Sequence, residues 1–136
     1  MNLFFYGTLL DGQALERVIG VRVASSRLPV ATLDGYRRAA IHGTPFPMLV
    51  PSPGTKVVGR VLMGVDRASL ARLIRYEGPF YDLRRLTVVQ ANGRRIDASV
   101  FMARPGMRAS RSDWTLEAWN HNRRRRFGNS STGRMT

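Results

Sequence analysis

The sequence predicts an α+β fold, in which a small mixed β-barrel carries short flanking helices. The chain opens with a strand and a helix and then shows mostly strand patterns with one helix among them, an order typical of α+β proteins. Gly59 and Gly64 lie inside a strand pattern, where glycine lets a strand bend or a neighbouring backbone approach closely, as in small barrels. A chain of 136 residues can bury the core of one such domain without disulfide bonds.

The N-terminal residues predict a strand, a turn and a helix. Leu3 to Tyr6 are apolar or aromatic, which is typical of a central strand buried on both faces. Gly7 ends this strand and begins a turn. Asp11 can cap a helix from Gln13 to Ile19, and Gly20 can end it.

The middle of the chain predicts strands separated by one long loop. The β-branched and apolar residues from Val21 to Leu33 indicate a bent or edge strand pair, and Arg37 to Ile41 indicate another strand. Between Gly43 and Gly54 there are four prolines, which argue against regular structure. We therefore expect a loop that covers part of the barrel. Val57 to Val65 then predict a strong strand.

The clearest turn signal lies in the second half of the chain. Leu83 to Ala91 and Arg94 to Ala103 flank the dipeptide Asn92-Gly93, which favours a two-residue type I′ hairpin. Alternate residues of its second strand are apolar and share one face, namely Ile96, Ala98, Val100 and Met102. This face is expected to point into the core.

The last quarter of the chain predicts a helix and a polar tail. Asp113 can cap a helix that reaches about Arg124 and carries Trp114 and Trp119. We interpret residues 1–103 as the barrel domain and residues 104–136 as a basic C-terminal helix and tail, with the helix packed on the barrel. The tail after the helix is expected to fray.

Positive charge is concentrated in this last segment. The formal net charge is +13, and every basic residue except Lys56 is arginine. From Arg104 onward, eight arginines outnumber two acids, a net charge of +6. A run such as Arg123 to Arg126 is more often a solvated surface than a ligand site. Nucleic-acid binding is therefore not favoured, although the charge leaves it open.

The composition also restricts chemistry and compartment. There is no cysteine, which excludes disulfide bonds and cysteine nucleophiles. The two histidines, His42 and His121, show no metal-ligand spacing, and no Gly-x-Ser-x-Gly or P-loop motif occurs. We therefore expect neither a metal nor a cofactor. The chain shows no signal peptide and no apolar run of the roughly 18 residues that a membrane span needs, so we expect a cytoplasmic protein without membrane association. Its oligomeric state stays open.

Glu77 is the acid with the least ordinary predicted position. Asp66 can cap a helix from Arg67 to Tyr76. Glu77 follows three apolar residues of that helix at helical spacing and shares their face; these are Leu70, Leu73 and Ile74. The side chain is therefore expected to point inward, at the helix end where the dipole disfavours an anion.

Two interpretations of an inward Glu77 stay open at this point. Burial would raise its pKa and make it a candidate proton-transfer group. Alternatively, Arg84 or Arg85 could pair with it, hold it ionised and give it a purely structural role.

Several short motifs occur in a characteristic order. Tyr6-Gly7-Thr8-Leu9 follows the first strand, Gly35-Tyr36 and Val57-Val58-Gly59 come next, and Tyr76-Glu77-Gly78 precedes Tyr81 and an arginine. Together they closely resemble the γ-glutamylcyclotransferase-like family, also called AIG2-like, from about Met1 to Met102. The resemblance implies the γ-glutamylcyclotransferase-like fold, a small β-barrel with flanking helices, which agrees with the pattern above.

The resemblance also implies an activity on a small-molecule γ-glutamyl substrate. Active family members release 5-oxoproline and a free amine or amino acid from a γ-glutamyl amide, because the substrate's own α-amine attacks its γ-carbonyl. By this match, Glu77 would be the general acid and base. The turn residues Tyr6, Gly7, Thr8 and Leu9 would bind the glutamyl group through backbone amides, and Tyr81 would line the pocket or hydrogen-bond the substrate.

Two departures from the family pattern lie close to Glu77. Arg75 occupies a place that is often acidic in the family, and the spacing from Tyr81 to Arg84 is longer than usual.

Two other functions stay open: a non-catalytic module of the same fold that binds a small ligand or regulates, and, less favoured, a protein that binds anionic partners through the arginine-rich C-terminus.

Overall fold

The computed structural model describes residues 1–127, with side chains described as far as His121. Within these residues the chain forms six strands, three α-helices and two 3₁₀ turns, in an order that confirms the α+β class. The strands are β1 (Leu3–Phe5), β2 (Val30–Ile41), β3 (Pro47–Leu62), β4 (Tyr81–Gln90), β5 (Arg95–Ala103) and β6 (Ala109–Asp113). The helices are α1 (Gly12–Ile19), α2 (Arg67–Glu77) and α3 (Leu116–Phe127), and 3₁₀ turns span Thr8–Leu10 and Ser25–Arg27.

The strands form a closed five-stranded barrel with one strand added outside it. The order around the barrel is β3, β1, β5, β4 and β2, and the pairing of β2 with β3 closes the ring. Strand β1 runs parallel to β5, whereas the other pairs are antiparallel. The barrel is therefore mixed, as predicted.

Strand β1 separates two apolar cores. Phe4 and Tyr6 belong to the core inside the barrel, together with residues such as Val61 and Val88. Leu3 and Phe5, which alternate with them, belong to the core between the barrel and the helices. Successive strand residues point to opposite faces, so a short strand that is apolar throughout is buried on both sides, and β1 confirms that prediction.

The predicted helix caps of α1 and α2 are confirmed. The Asp11 carboxylate accepts a hydrogen bond from the Gln13 amide at 3.0 Å, and the Asp66 carboxylate accepts one from the Ser69 amide at 2.7 Å. Each side chain thereby satisfies an amide that has no partner inside its own helix.

Gly59 is the position where two backbones come closest together. A Cβ atom on Gly59 would lie 2.1 Å from the Phe5 carbonyl oxygen and 2.7 Å from the Phe4 ring. The strand therefore needs glycine here, which confirms the prediction of a close backbone approach.

We expect Gly59→Ala to lower the free energy of unfolding by about 3 kcal/mol, because β1 and β3 must separate to admit the methyl group. Urea denaturation of the two proteins measures this difference. Gly12→Ala is the matched control, since a Cβ on Gly12 meets nothing within 4 Å. Equal unfolding free energies for Gly59→Ala and wild type would contradict the close approach.

The predicted loop from Gly43 to Gly54 is wrong. Pro47 already begins β3, and Pro47 and Pro51 are register partners of Ala40 and Tyr36 on β2. Proline is tolerated at strand starts and irregularities, and the register shifts between Asp34 and Tyr36. The β2–β3 hairpin therefore includes Pro47 and Pro51 as strand residues.

Two further local predictions are corrected. Val21 to Leu33 do not form a strand pair, because the chain passes through a 3₁₀ turn before Val30 begins β2.

The hairpin between β4 and β5 is not of type I′, which needs a positive φ at both central residues. Only Gly93 has one (φ 84°), while the Gly93 amide donates to the Gln90 carbonyl. These features fit a three-residue loop with glycine at the bulge position.

The segment before α3 contains a strand that was not predicted. Ala109 and Asp113 of β6 pair with Ile41 and Ala39 of β2, so Asp113 ends a strand and does not cap a helix. Thr115 takes the capping role, since its hydroxyl accepts the Ala118 amide at 3.1 Å. Trp114 and Trp119 are both buried. The division of the chain after residue 103 stays a prediction, and the tail after Phe127 lies outside the described residues.

Candidate active site

All six residues named from the sequence line one cavity. The predicted residues are Tyr6, Gly7, Thr8, Leu9, Glu77 and Tyr81, and the rest of the wall comes from Phe4, Phe5, Pro47 and Phe101. The cavity volume is about 20 Å³, which is room for about one water molecule. The fold thus brings the predicted residues together, while their roles in binding and catalysis stay predictions.

Glu77 reaches the cavity because α2 ends there. It is the last residue of α2, one helical turn after the fully buried Leu73, and its own exposure is 8%. Gly78 follows with a φ of 79° and turns the chain away from the helix axis. The predicted inward position is therefore confirmed, and the carboxyl group is held at the barrel by packing of the helix.

Burial raises the pKa of Glu77 to about 8. Desolvation is the cause, because a carboxylate loses its hydration when water is excluded. Glu77 is consequently protonated at neutral pH in the free protein, and it can give up or take a proton near pH 8.

The alternative of an ion pair between Glu77 and Arg84 or Arg85 is wrong. Both arginine side chains are exposed on β4, and neither forms an ion pair in the part of the chain that the structure describes. The inward residues of β4 here are instead apolar or aromatic, such as Tyr81. Sequence proximity suggested the pair, but both arginine side chains are exposed whereas Glu77 is buried.

The turn opposite Glu77 is fixed from both sides. Inside the turn, the Leu10 amide donates to the Gly7 carbonyl at 3.0 Å. Outside it, the Arg38 guanidinium donates to the Tyr6 carbonyl at 3.1 Å. The Thr8 hydroxyl lies 3.1 Å from the Tyr76 hydroxyl, which joins the turn to the residue just before Glu77. The turn and the acid are therefore held at a set separation.

Two tyrosines close the cavity through backbone carbonyls. The Tyr81 hydroxyl donates to the Pro47 carbonyl at 2.6 Å, and the Tyr6 hydroxyl donates to the Phe101 carbonyl. Burial raises the pKa of Tyr6 well above its usual value, with smaller contributions from Tyr81 and Glu77. Tyr6 therefore stays neutral and serves as a hydrogen-bond donor.

An open groove meets the cavity at Glu77. Its volume is about 190 Å³, and it is lined by Phe46, Arg75, Tyr76, Glu77, Gly78, Pro79 and Phe80. Glu77 therefore lines both the cavity and the groove.

Sequence reasoning missed three contributors to this site. Pro47 was assigned to a loop, whereas its carbonyl and ring form part of the wall. Phe101 was predicted to lie on a strand, but its place in the cavity wall was not predicted. Its backbone carbonyl accepts the hydrogen bond from the Tyr6 hydroxyl. Arg38 supports the turn from β2. No local sequence motif predicts these contacts, because each one joins residues that are far apart in the sequence.

Neither a metal site nor a membrane-spanning helix is found among the residues that the structure describes. Residues 1–127 hold no cluster of three or more histidine or acidic side chains that could bind a metal ion. No helix within the same range combines the length and the apolarity that crossing a membrane needs.

Curated relatives and solved structures resemble the chain over most of its length. AIG2-like protein A of Arabidopsis thaliana is 28% identical and covers 93% of this chain and 76% of its own. Protein AIG2 C of the same plant is 32% identical and covers 87% of this chain and 71% of its own. A solution structure from Arabidopsis thaliana superposes with a TM-score of 0.68 at 27% identity, with 93% of this chain and 76% of that chain covered.

A solved γ-glutamyl cyclotransferase shares the fold at lower identity. Its TM-score is 0.64 at 17% identity, over 79% of this chain and 68% of that chain. The family described as "Gamma-glutamyl cyclotransferase, AIG2-like" matches residues 3–121, which extends the resemblance past the barrel and into α3. Since this match covers most of the chain, the chain belongs to the AIG2-like γ-glutamyl cyclotransferase family.

Proposed function

We propose that the protein is a γ-glutamylcyclotransferase, which releases 5-oxoproline and a free amine from a γ-glutamyl amide. The observation that carries this proposal is the placement of a buried acid, Glu77, on the wall that it shares with the Tyr6–Leu9 turn. Family membership supports the same reaction class. The reaction requires no nucleophile from the protein, because the substrate supplies it.

The proposed reaction moves one proton through Glu77. The substrate α-amine attacks the γ-carbonyl carbon, so that a new C–N bond closes a five-membered ring. Glu77 takes the proton that the attacking amine loses and then donates it to the nitrogen of the departing amine as the old amide C–N bond breaks. Acid and base roles in one residue suit a group that lies between the cavity and the groove.

The raised pKa of Glu77, about 8, supports this role. A general base works best when its pKa lies near the working pH. A substrate ammonium group next to the carboxyl group favours its ionised form, so that binding itself lowers the pKa and prepares the base. A carboxylate already paired with arginine would be a weaker base, and the structure has no such pair for Arg84 or Arg85.

The Tyr6–Leu9 turn and the tyrosines bind and orient the substrate, whereas Glu77 transfers the proton. In this proposal the Tyr6–Leu9 backbone holds the glutamyl group and steadies the negative charge that develops on the γ-carbonyl oxygen. The cavity has a volume of about 20 Å³, so in this proposal the glutamyl group extends beyond it.

A panel of γ-glutamyl amides tests the proposal. The protein is incubated with each compound, and 5-oxoproline is measured by liquid chromatography with mass spectrometry. We expect release from at least one γ-glutamyl amide and none from the matching α-glutamyl compound, whose geometry does not permit the same ring closure. If no compound yields 5-oxoproline while glutamate raises the melting temperature, the protein is instead a non-catalytic binding module of the same fold.

A further inference from the structure

The groove beside Glu77 carries a charge that the proposed reaction does not use. Arg75 lines it, and its side chain is exposed. Glu77 is the acid that lines the same groove, and it is protonated at neutral pH because burial raises its pKa to about 8. At neutral pH the charge that the groove walls present is therefore positive.

The charges next to the groove do not cancel Arg75. Asp82 follows Phe80 closely in the chain, but its carboxylate pairs with the Arg104 guanidinium at 3.2 Å. The Arg104 amide also donates to the Phe80 carbonyl at 2.9 Å, which places this neutral pair at the groove's edge. An anion that enters the groove thus meets Arg75 without a competing acid from this pair.

The rest of the groove is apolar and partly rigid. Phe46 lies 6.0 Å from Trp119, ring centre to ring centre, so α3 holds one wall. Phe80 forms another wall and is 47% exposed, which leaves its ring available to a ligand. With a volume of about 190 Å³, the groove is much larger than the space of about 10–15 Å³ that one water needs.

We propose that Arg75 and the aromatic walls of this groove select the departing amine, favouring one that carries a carboxylate and an apolar side chain. This inference rests on the proposed function, in which the departing amine receives its proton from Glu77, and it places that amine in the groove that Glu77 lines. The preferred substrates are then γ-glutamyl derivatives of apolar amino acids, whereas γ-glutamyl derivatives of cationic amines are disfavoured.

Two substrates that differ only in the carboxylate test the role of Arg75. We compare kcat/KM for γ-glutamyl-phenylalanine and γ-glutamyl-phenethylamine in wild type and in Arg75→Gln. Wild type should prefer the phenylalanine compound by about fivefold, the size of an exposed ion pair, and this preference should shrink in high salt. Arg75→Gln should remove the preference, so that kcat/KM for the two compounds becomes equal.

Arg67→Gln is the matched control, since Arg67 is exposed at the other end of the same helix and does not line the groove. It should keep the full preference. Phe80→Ala should lower kcat/KM for both phenyl compounds by roughly tenfold relative to γ-glutamyl-alanine, because buried ring contacts are lost.

The outcomes separate this inference from the proposed function. Equal kcat/KM for the two phenyl compounds in wild type, or an equal loss for both in Arg75→Gln, overturns the role of Arg75 while 5-oxoproline release still stands. Absence of 5-oxoproline from every compound overturns the proposed function and this inference with it.

Discussion

Replacing Glu77 by glutamine is expected to reduce 5-oxoproline release by about 10²- to 10⁴-fold, the range that general acid–base catalysis supplies. Glutamine has nearly the same shape as a protonated glutamate, so it can occupy the same buried place beside the Tyr6–Leu9 turn. It cannot accept the proton of the attacking amine. The loss should therefore fall on kcat, with a smaller effect on KM.

The measurement is kcat and KM for the best γ-glutamyl amide of the panel, with circular dichroism to show that the variant is folded. Glu117→Gln is the matched control, because Glu117 is exposed at the start of α3 and does not line the cavity. It should keep wild-type activity. Full activity of folded Glu77→Gln would exclude Glu77 from proton transfer.

How far the sequence predicts this site depends on how local each signal is. Glu77 was predicted to point inward from its spacing after Leu73, and the spacing works because one helix fixes both directions. Gly59 was predicted to face a close backbone, and the reason lies in the missing side chain itself. The signal for Glu77 belongs to one helix, and the signal for Gly59 is the absence of a side chain, although the backbone that approaches it comes from β1.

The failures arise where two distant segments decide the outcome. The prolines between Gly43 and Gly54 argue locally for a loop, yet β2 offers backbone partners that make Pro47 to Leu62 one strand. Strand β6 has the sequence Ala-Ser-Arg-Ser-Asp and shows no apolar alternation. It becomes a strand because β2 has a free edge there.

The same reason explains the wrong arginine partners for Glu77. Arg84 and Arg85 are near it in the sequence and lie on opposite faces of β4, because successive strand residues alternate. Both side chains are nevertheless exposed, whereas Glu77 is buried at the end of α2. Sequence distance alone does not show how exposed each side chain becomes once the strands have paired.

Glu77→Gln is also expected to be more stable than wild type at alkaline pH, by roughly 4–5 kcal/mol. The pKa of Glu77 is raised from 4.5 to about 8 by burial in the folded state. Between these two values the unfolded chain has lost the proton that the folded chain keeps, so wild-type stability falls as pH rises. The fall is about 1.4 kcal/mol per pH unit, and it ends above the folded-state pKa.

Urea denaturation of wild type and Glu77→Gln from pH 4 to pH 9 measures this difference. The other titrating groups are common to both proteins, so subtracting the two curves isolates Glu77. Glu117→Gln should track wild type throughout, since its carboxylate is exposed in the folded state. A constant difference between wild type and Glu77→Gln across this range would mean that the carboxyl group is solvated and that its burial does not raise its pKa.

A gain in stability together with a loss of activity would connect the two properties of Glu77. A buried carboxyl group that must ionise costs folding free energy above pH 4.5, whereas a glutamine at that place costs none that varies with pH. If Glu77 had no role in catalysis, an uncharged residue at the end of α2 would make the folded protein more stable above pH 4.5. The reaction proposed for this site gives the cost a physical reason, because the same desolvation that destabilises the folded protein sets the acid near the pH at which it must both take and return a proton.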